Sequence, residues 1–225
     1  MFTHIAHNFP SLVQENVNGS RLYLTPTGEK YPSVTTIIAE HGKEGILEWR
    51  KRVGEEQANK ISRIATTRGT SVHTALEVFL RNQDVSTLEM MPNVKSLFVR
   101  MRAELMNHVN NIHCLETKLF SHSLKLAGTV DCIAEHKGVL SVIDFKTANR
   151  LKKKENIAGY FMQCVAYAKM FEEMTQHEID KIVVLIGVDS ANFCQTMIVK
   201  KEEFSHYEDM LRNYIDIYNN KLLLR

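Results

Sequence analysis

Residues 128–148 read GTVDCIAEHKGVLSVIDFKTA, with Asp131, Asp144 and Lys146 set into the most apolar strand-forming part of the chain. Val, Ile, Leu, Phe and Ala in this density demand burial in a sheet. A buried carboxylate is costly unless it pairs with a cation or binds a metal. Asp144 and Lys146 are two apart and share a strand face, while Phe145 points the other way, into the core. If Lys137-Gly138 is a two-residue turn, Asp131 lies directly opposite Asp144, with Cβ atoms roughly 5 Å apart. Two carboxylates that close repel unless a divalent cation sits between them. A three-residue turn puts them on opposite faces unless a bulge restores the register. The competing reading is a buried Asp–Lys ion pair with no metal.

Further polar residues fall in segments that can reach the same place. Glu116 lies in the preceding strand. His73 and Glu77 are four apart on a helix and share a face, as do Gln163 and Tyr167 on a later one. The sequence contains 10 His, so His73 is also open to an ordinary surface role.

The remaining pattern frames these residues. Arg21–Thr25 and Tyr31–Ile38 flank a Pro-Thr-Gly-Glu turn and read as a β-hairpin. Helices are expected over 45–66, broken by Gly69, and over 70–81 and 93–109. The first carries a rough apolar stripe of Ile46, Leu47, Trp49, Val53, Ala58, Ile61 and Ile64. Strands follow over 112–121, 124–135 and 139–147, with short links that suit antiparallel hairpins. A helix over 157–174, strands over 181–188 and 193–200, and a helix over 202–219 close the order. This is an α/β chain with a mixed central sheet, one domain of 1–225. It divides into an N-terminal β-hairpin region (1–44), a helical lobe carrying His73 (45–110) and an α/β core (111–225).

Composition excludes little beyond disordered, collagen-like and disulfide-scaffold classes: 44% of residues are hydrophobic and 24% charged, with net charge +2. The longest strongly apolar stretch, Ile182–Val188, is far short of the roughly 20 residues that span a bilayer. The N-terminal residues lack a signal-peptide pattern, so a cytoplasmic protein with no membrane partner is the expectation. Charge is unevenly placed. Residues 50–68 hold Arg50, Lys51, Arg52, Lys60, Arg63 and Arg68 against Glu55 and Glu56, and residues 146–154 hold five basic residues and no acid. Such segments are either solvated faces or the footprint of a polyanion. Cys114, Cys132, Cys164 and Cys194 are scattered, with no metal-binding spacing, which suggests reduced, mostly buried thiols.

Together, GTVD, IDFKTA and QCVAY resemble the PD-(D/E)XK nuclease superfamily in its RecB-like branch. Asp131 matches the first acidic position, Asp144-Phe145-Lys146 the D-x-K motif, and Gln163 to Tyr167 the Q-x-x-x-Y motif. Gly69 to His73 resembles the branch's G-x-x-x-H motif, and Glu116 its upstream acidic residue. RLYLTPTGEKYPSVTTII adds a likeness to small phage-encoded exonucleases, and the chain also resembles mitochondrial genome maintenance exonucleases. The resemblance implies a restriction-endonuclease-like core and a metal-dependent DNA exonuclease that prefers single strands or free ends. Its setting would be replication, recombination or repair, with partner proteins from those processes. Mg²⁺ or Mn²⁺ would be held by His73, Asp131, Asp144 and the Phe145 carbonyl. Asp131, Asp144, Lys146 and Glu116 would form the catalytic set. Gln163, Tyr167, Arg68, Arg150, Lys152, Lys153 and Lys154 would bind substrate. Relatives with an iron–sulfur cluster hold it through four cysteines near the chain ends; the scattered cysteines here suggest no such cluster. A structure-specific endonuclease and a catalytically dead nucleic-acid-binding module are the alternatives.

Overall fold

The computed structural model describes residues 1–17 and 20–223. Three short strands, β1 (Val13–Val17), β2 (Ser20–Leu24) and β3 (Lys30–Pro32), form an antiparallel sheet. The expected hairpin is therefore present as β2–β3, but its second strand stops at Pro32. Ser33 caps a helix instead, its hydroxyl accepting the Thr36 N–H, and Val34–His41 is α1. The cap outweighs the strand preference of Val34, Ile37 and Ile38, because burying Val34 and Ile37 against the later helices serves a helix as well.

Lys43–Val53 (α2) and Glu55–Leu80 (α3) meet at Gly54, whose φ of 84° and ψ of 147° are reserved for glycine. The break thus falls at Gly54, and α3 runs unbroken through Gly69. A methyl placed at Gly69 would meet only Thr147 Oγ1, at 3.8 Å. The apolar stripe expected across this region does not enter the core. No residue of α2 is buried, Ile46, Leu47, Ile61 and Ile64 are exposed, and only Ala58 is covered.

Pro92–His108 (α4) leads into the main sheet of β4 (Val109–Ser121), β5 (Leu126–His136), β6 (Val139–Ala148), β7 (Lys181–Val188) and β8 (Cys194–Lys200), in that order. All neighbours are antiparallel except β6 and β7, which are parallel and joined through α5 (Ala158–Thr175). Every residue of β7 except Lys181 is buried, as a central strand covered on both faces requires. The β4–β5 turn is longer than expected: Ser121 pairs with Leu126, and Glu173 accepts the His122 and Ser123 N–H groups across it. Thr3 and Ile5 hydrogen-bond Ile112 and so cover part of the exposed β4 edge.

Two apolar layers enclose the sheet. On one face Val142 and Ile186 pack under α1, α5 and α6 (Phe204–Leu223); on the other Ile143 and Phe145 pack under α3 and α4. Strand alternation thus sends Phe145 to the α3–α4 layer and leaves Asp144 and Lys146 on the α5 face.

Because Gly69 lies inside a continuous helix with room for a methyl group, Gly69→Ala is expected to stabilise the protein by about 0.5–1 kcal/mol in chemical denaturation. Destabilisation would show that the helix needs glycine's freedom at this point.

Candidate active site

The β5–β6 turn decides the register. Lys137 and Gly138 both have positive φ (54° and 74°), as a type I′ two-residue turn needs. His136 pairs with Val139, and the ladder runs up to Cys132–Ile143. One step further, Asp131 comes opposite Asp144. There the carboxylate Oδ2 of Asp131 accepts the Phe145 N–H at 2.8 Å, so the side chain continues where the strands separate.

Asp144 is 1% exposed. Its Oδ1 accepts a hydrogen bond from Lys146 Nζ at 2.7 Å. Nζ is also 2.6 Å from Oδ2. The buried Asp–Lys pair weighed as an alternative therefore exists, with the ammonium against both oxygens of Asp144. Burial pushes the Asp144 carboxyl up to about 6; Lys146 works against this and Asp131 adds to it. Burial also opposes the charge on Lys146, but Asp144 and Asp131 outweigh it and raise its pKa. The ammonium lies 5.1 Å from the centroid of the Tyr160 ring.

Glu116 stands opposite Asp131 on the other side, between the pairs Leu115–Cys132 and Thr117–Val130. Its φ is 47°, a left-handed conformation that a glutamate seldom adopts. Such strain gathers where side-chain placement matters more than backbone comfort. From α3, His73 completes the group. Its Nε2 donates to the Phe145 carbonyl at 2.8 Å, since a carbonyl only accepts. Its Nδ1 then faces Asp131 Oδ1 at 3.6 Å and Glu116 Oε1 at 4.0 Å. Burial disfavours a charged ring, but Glu116 and Asp131 prevail and its pKa is raised.

His73, Glu116 and Asp131 each offer a ligand atom, all within 4.8 Å of one another. With the Asp144 carboxylate and the Phe145 carbonyl close by, this donor set suits a hard divalent cation. The residues thus fit such an ion, although Asp144 is engaged with Lys146 and the Phe145 carbonyl with His73.

The expected substrate contacts divide. Gln163 is half-buried on α5, its Oε1 3.5 Å from Lys146 Nζ and its Nε2 3.5 Å from Tyr167 Oη. Tyr167 is 2% exposed and is corrected from a substrate contact to a support beneath Gln163. Its ring also explains Gly128, where a Cβ would come within 2.8 Å of Tyr167 Cε1. Arg68 is likewise corrected: it is 7% exposed and pairs with Asp189 and Asn149, so it ties α3 to the residues after β6 and β7. Lys154 is engaged by Glu203 at 2.8 Å, which makes it less available than expected. Arg150, Lys152 and Lys153 are exposed, on a loop held by Gln195, whose side chain hydrogen-bonds both the Lys152 N–H and C=O. Asp189 and Asn149 escaped the sequence reading because neither sits in a motif.

Two outcomes follow from this geometry. Arg68→Gln is expected to cost about 2–3 kcal/mol in thermal melts, below the ~3–5 kcal/mol of a fully buried pair. A solvent-facing arginine with no such partner would cost no more than about 0.5 kcal/mol. A raised His73 pKa stabilises the fold fully below the unfolded value of about 6.5, and that contribution fades as pH rises through the folded value. In EDTA, His73→Asn should therefore lower Tm more at pH 5.5 than at pH 8.5; an equal or reversed difference would contradict the assignment.

Comparison with known proteins agrees with the geometry. The chain is 29% identical over 168 residues to the human protein named mitochondrial genome maintenance exonuclease 1, covering 70% of this chain and 48% of that one. It is 28% identical to the mouse protein of the same name, over 72% of this chain and 52% of that one. The chain thus spans about half the length of the curated relatives it matches. The family profile of the PD-(D/E)XK nuclease superfamily matches residues 46–219, which take in the helix carrying His73 and the strands carrying Glu116, Asp131, Asp144 and Lys146. The chain belongs to the PD-(D/E)XK nuclease superfamily.

Proposed function

We propose that the protein is a metal-dependent DNA exonuclease that hydrolyses phosphodiester bonds, acting on single strands or free ends. One observation carries this reading. A glutamate, two aspartates, a lysine and a histidine from β4, β5, β6 and α3 converge on one spot, with Asp144 almost wholly buried there. A purely structural ion pair needs neither Glu116 in a left-handed conformation nor His73 beside it.

Asp131, Asp144, His73 and the Phe145 carbonyl would hold Mg²⁺ or Mn²⁺, with Glu116 as a further ligand or as support for His73. When bound, such an ion neutralises phosphate charge and acidifies water. Lys146 would orient the attacking water and stabilise developing negative charge, and it is not assigned as a base. Gln163, braced by Tyr167, holds the substrate backbone near Lys146. Arg150, Lys152 and Lys153 follow the phosphates beyond the site.

The preference for single strands rests on the arm formed by α2 and the start of α3. It exposes apolar Ile46 and Leu47 with Lys51 and Arg52 on α2, and Ile61 and Ile64 with Lys60 and Arg63 on α3, the helix that brings His73. Apolar and basic side chains together suit unpaired bases on a charged backbone. The curated relatives carry the word exonuclease in their names, which favours cutting from ends over internal cutting.

End-labelled linear single-stranded and duplex DNA, and internally labelled circular single-stranded DNA, each with Mg²⁺, Mn²⁺ or EDTA, test the proposal. Short products from linear single strands in metal are expected, with none in EDTA and the circle intact. Lys146→Ala should lower kcat by roughly 10²–10³-fold, the scale of losing one stabiliser of transition-state charge. Cleavage of the circle would make the protein an endonuclease; binding without cleavage in either metal would make it a binding module.

A further inference from the structure

A second group of metal-ligating side chains lies away from the nuclease residues, where α4 ends against the β5–β6 hairpin. Glu104 and His108 are four apart in the last turns of α4 and share a face. His136, the last residue of β5, lies beside them. His108 Nδ1 is 3.0 Å from Glu104 Oε1, and His136 Nε2 is 3.7 Å from the same oxygen. The three ligand atoms all fall within 4.8 Å of one another. Four ligands placed at zinc distances of about 2.0–2.1 Å in a tetrahedron are about 3.3 Å apart, so the observed spacings bracket that geometry.

The hydrogen bonding is what sets this group apart. His136 is 0% exposed, yet neither of its ring nitrogens has a hydrogen-bond partner. Buried polar atoms in native proteins are nearly always satisfied, so a fully buried imidazole facing a carboxylate that His108 also contacts needs an explanation. An ion pair between His136 and Glu104 does not supply it. Burial and the positive charge of Lys181 push the His136 pKa down to about 4, with Lys137 and His108 acting the same way and only Glu104 opposing. A lowered pKa favours the neutral ring, the form that ligates metals.

We infer that Glu104, His108 and His136 form a binding site for a borderline transition-metal dication, Zn²⁺ by preference, separate from the nuclease site. Two imidazoles and a carboxylate favour Zn²⁺ over Mg²⁺, which keeps to all-oxygen donors. Glu104 and His108 are 21% and 29% exposed, so an ion can enter and water can fill the fourth position. The Lys137 N–H already donates to the His108 carbonyl at 2.7 Å, and the metal adds a second tie between α4 and the hairpin that fixes the Asp131–Asp144 register. The role is structural.

The test uses the full chain, stripped with EDTA and titrated with Zn²⁺, and with Co²⁺ as a coloured stand-in. An Asp131→Asn, Asp144→Asn double variant removes binding at the nuclease site. One Zn²⁺ per chain should remain in that variant, Co²⁺ should give the visible absorption of a tetrahedral site, and a large excess of Mg²⁺ should not displace it. Glu104→Gln and His108→Ala should each weaken Zn²⁺ binding beyond the roughly 10–100-fold seen for outer partners of a metal ligand. Both variants are checked for folding by circular dichroism. In the wild-type chain each should lower the Zn²⁺ stoichiometry by one equivalent, and Zn²⁺ should raise Tm by several degrees in the double variant but not once Glu104→Gln or His108→Ala is added to it. Zn²⁺ uptake that vanishes in the double variant and persists in His108→Ala would place all binding at the nuclease site and overturn the inference. So would the absence of stoichiometric uptake.

Discussion

A slip of one residue between β5 and β6 would turn every side chain of one strand to the opposite face of the sheet. The type I′ turn at Lys137-Gly138 prevents it. Because both turn residues hold positive φ, the hairpin cannot take up an extra residue without losing the pairs from His136–Val139 to Cys132–Ile143. Asp131 is thereby fixed opposite Asp144, where its carboxylate caps the Phe145 N–H. The same register sends Phe145 into the layer under α3 and α4 and keeps Lys146 beside Asp144. Position of the carboxylates and packing of the core are one constraint, not two.

The electrostatics of the site follow from that placement. Asp144 is buried so fully that its charge is disfavoured even with Lys146 in contact, and Asp131 adds repulsion. Lys146 is held charged by the same two carboxylates. Around them sit a strained Glu116 and a histidine whose Nε2 is committed to a carbonyl. The buried Asp144 charge and the left-handed Glu116 backbone are each unfavourable for folding. Concentrated at one point, they give a group of oxygen donors with less positive charge than they can accept, which is the local condition for binding a divalent cation.

Much of this was legible in the sequence, and the failures have identifiable causes. Dense runs of Val, Ile and Leu located β5, β6 and β7 closely, because central strands are apolar on both faces. The β5–β6 turn stayed open between two lengths, since Lys137-Gly138 carries only half of the usual Asn-Gly signal; the backbone decided it. Gly69 misled because glycine propensity is a weak prior inside a helix whose far end, from Val72 to Leu80, is anchored in the core. Val34–Ile38 misled because a serine cap and a buried face suit a helix as well as β-branched residues suit a strand. Arg68 looked like a phosphate ligand until Asp189, 121 residues away, appeared as its partner. The Glu104–His108–His136 group spans α4 and the end of β5, a distance in sequence over which spacing carries no information.

The central claim is that the register-fixed Asp131 and Asp144 carboxylates form a cation site and not a closed ion pair with Lys146. A crystal structure of the protein soaked in Mn²⁺, with anomalous data, tests it most directly. The account predicts an anomalous peak in contact with Asp131 and Asp144, and Lys146 Nζ moved off at least one oxygen of Asp144. No peak at that position, with both Asp144 oxygens still against Lys146, would contradict it.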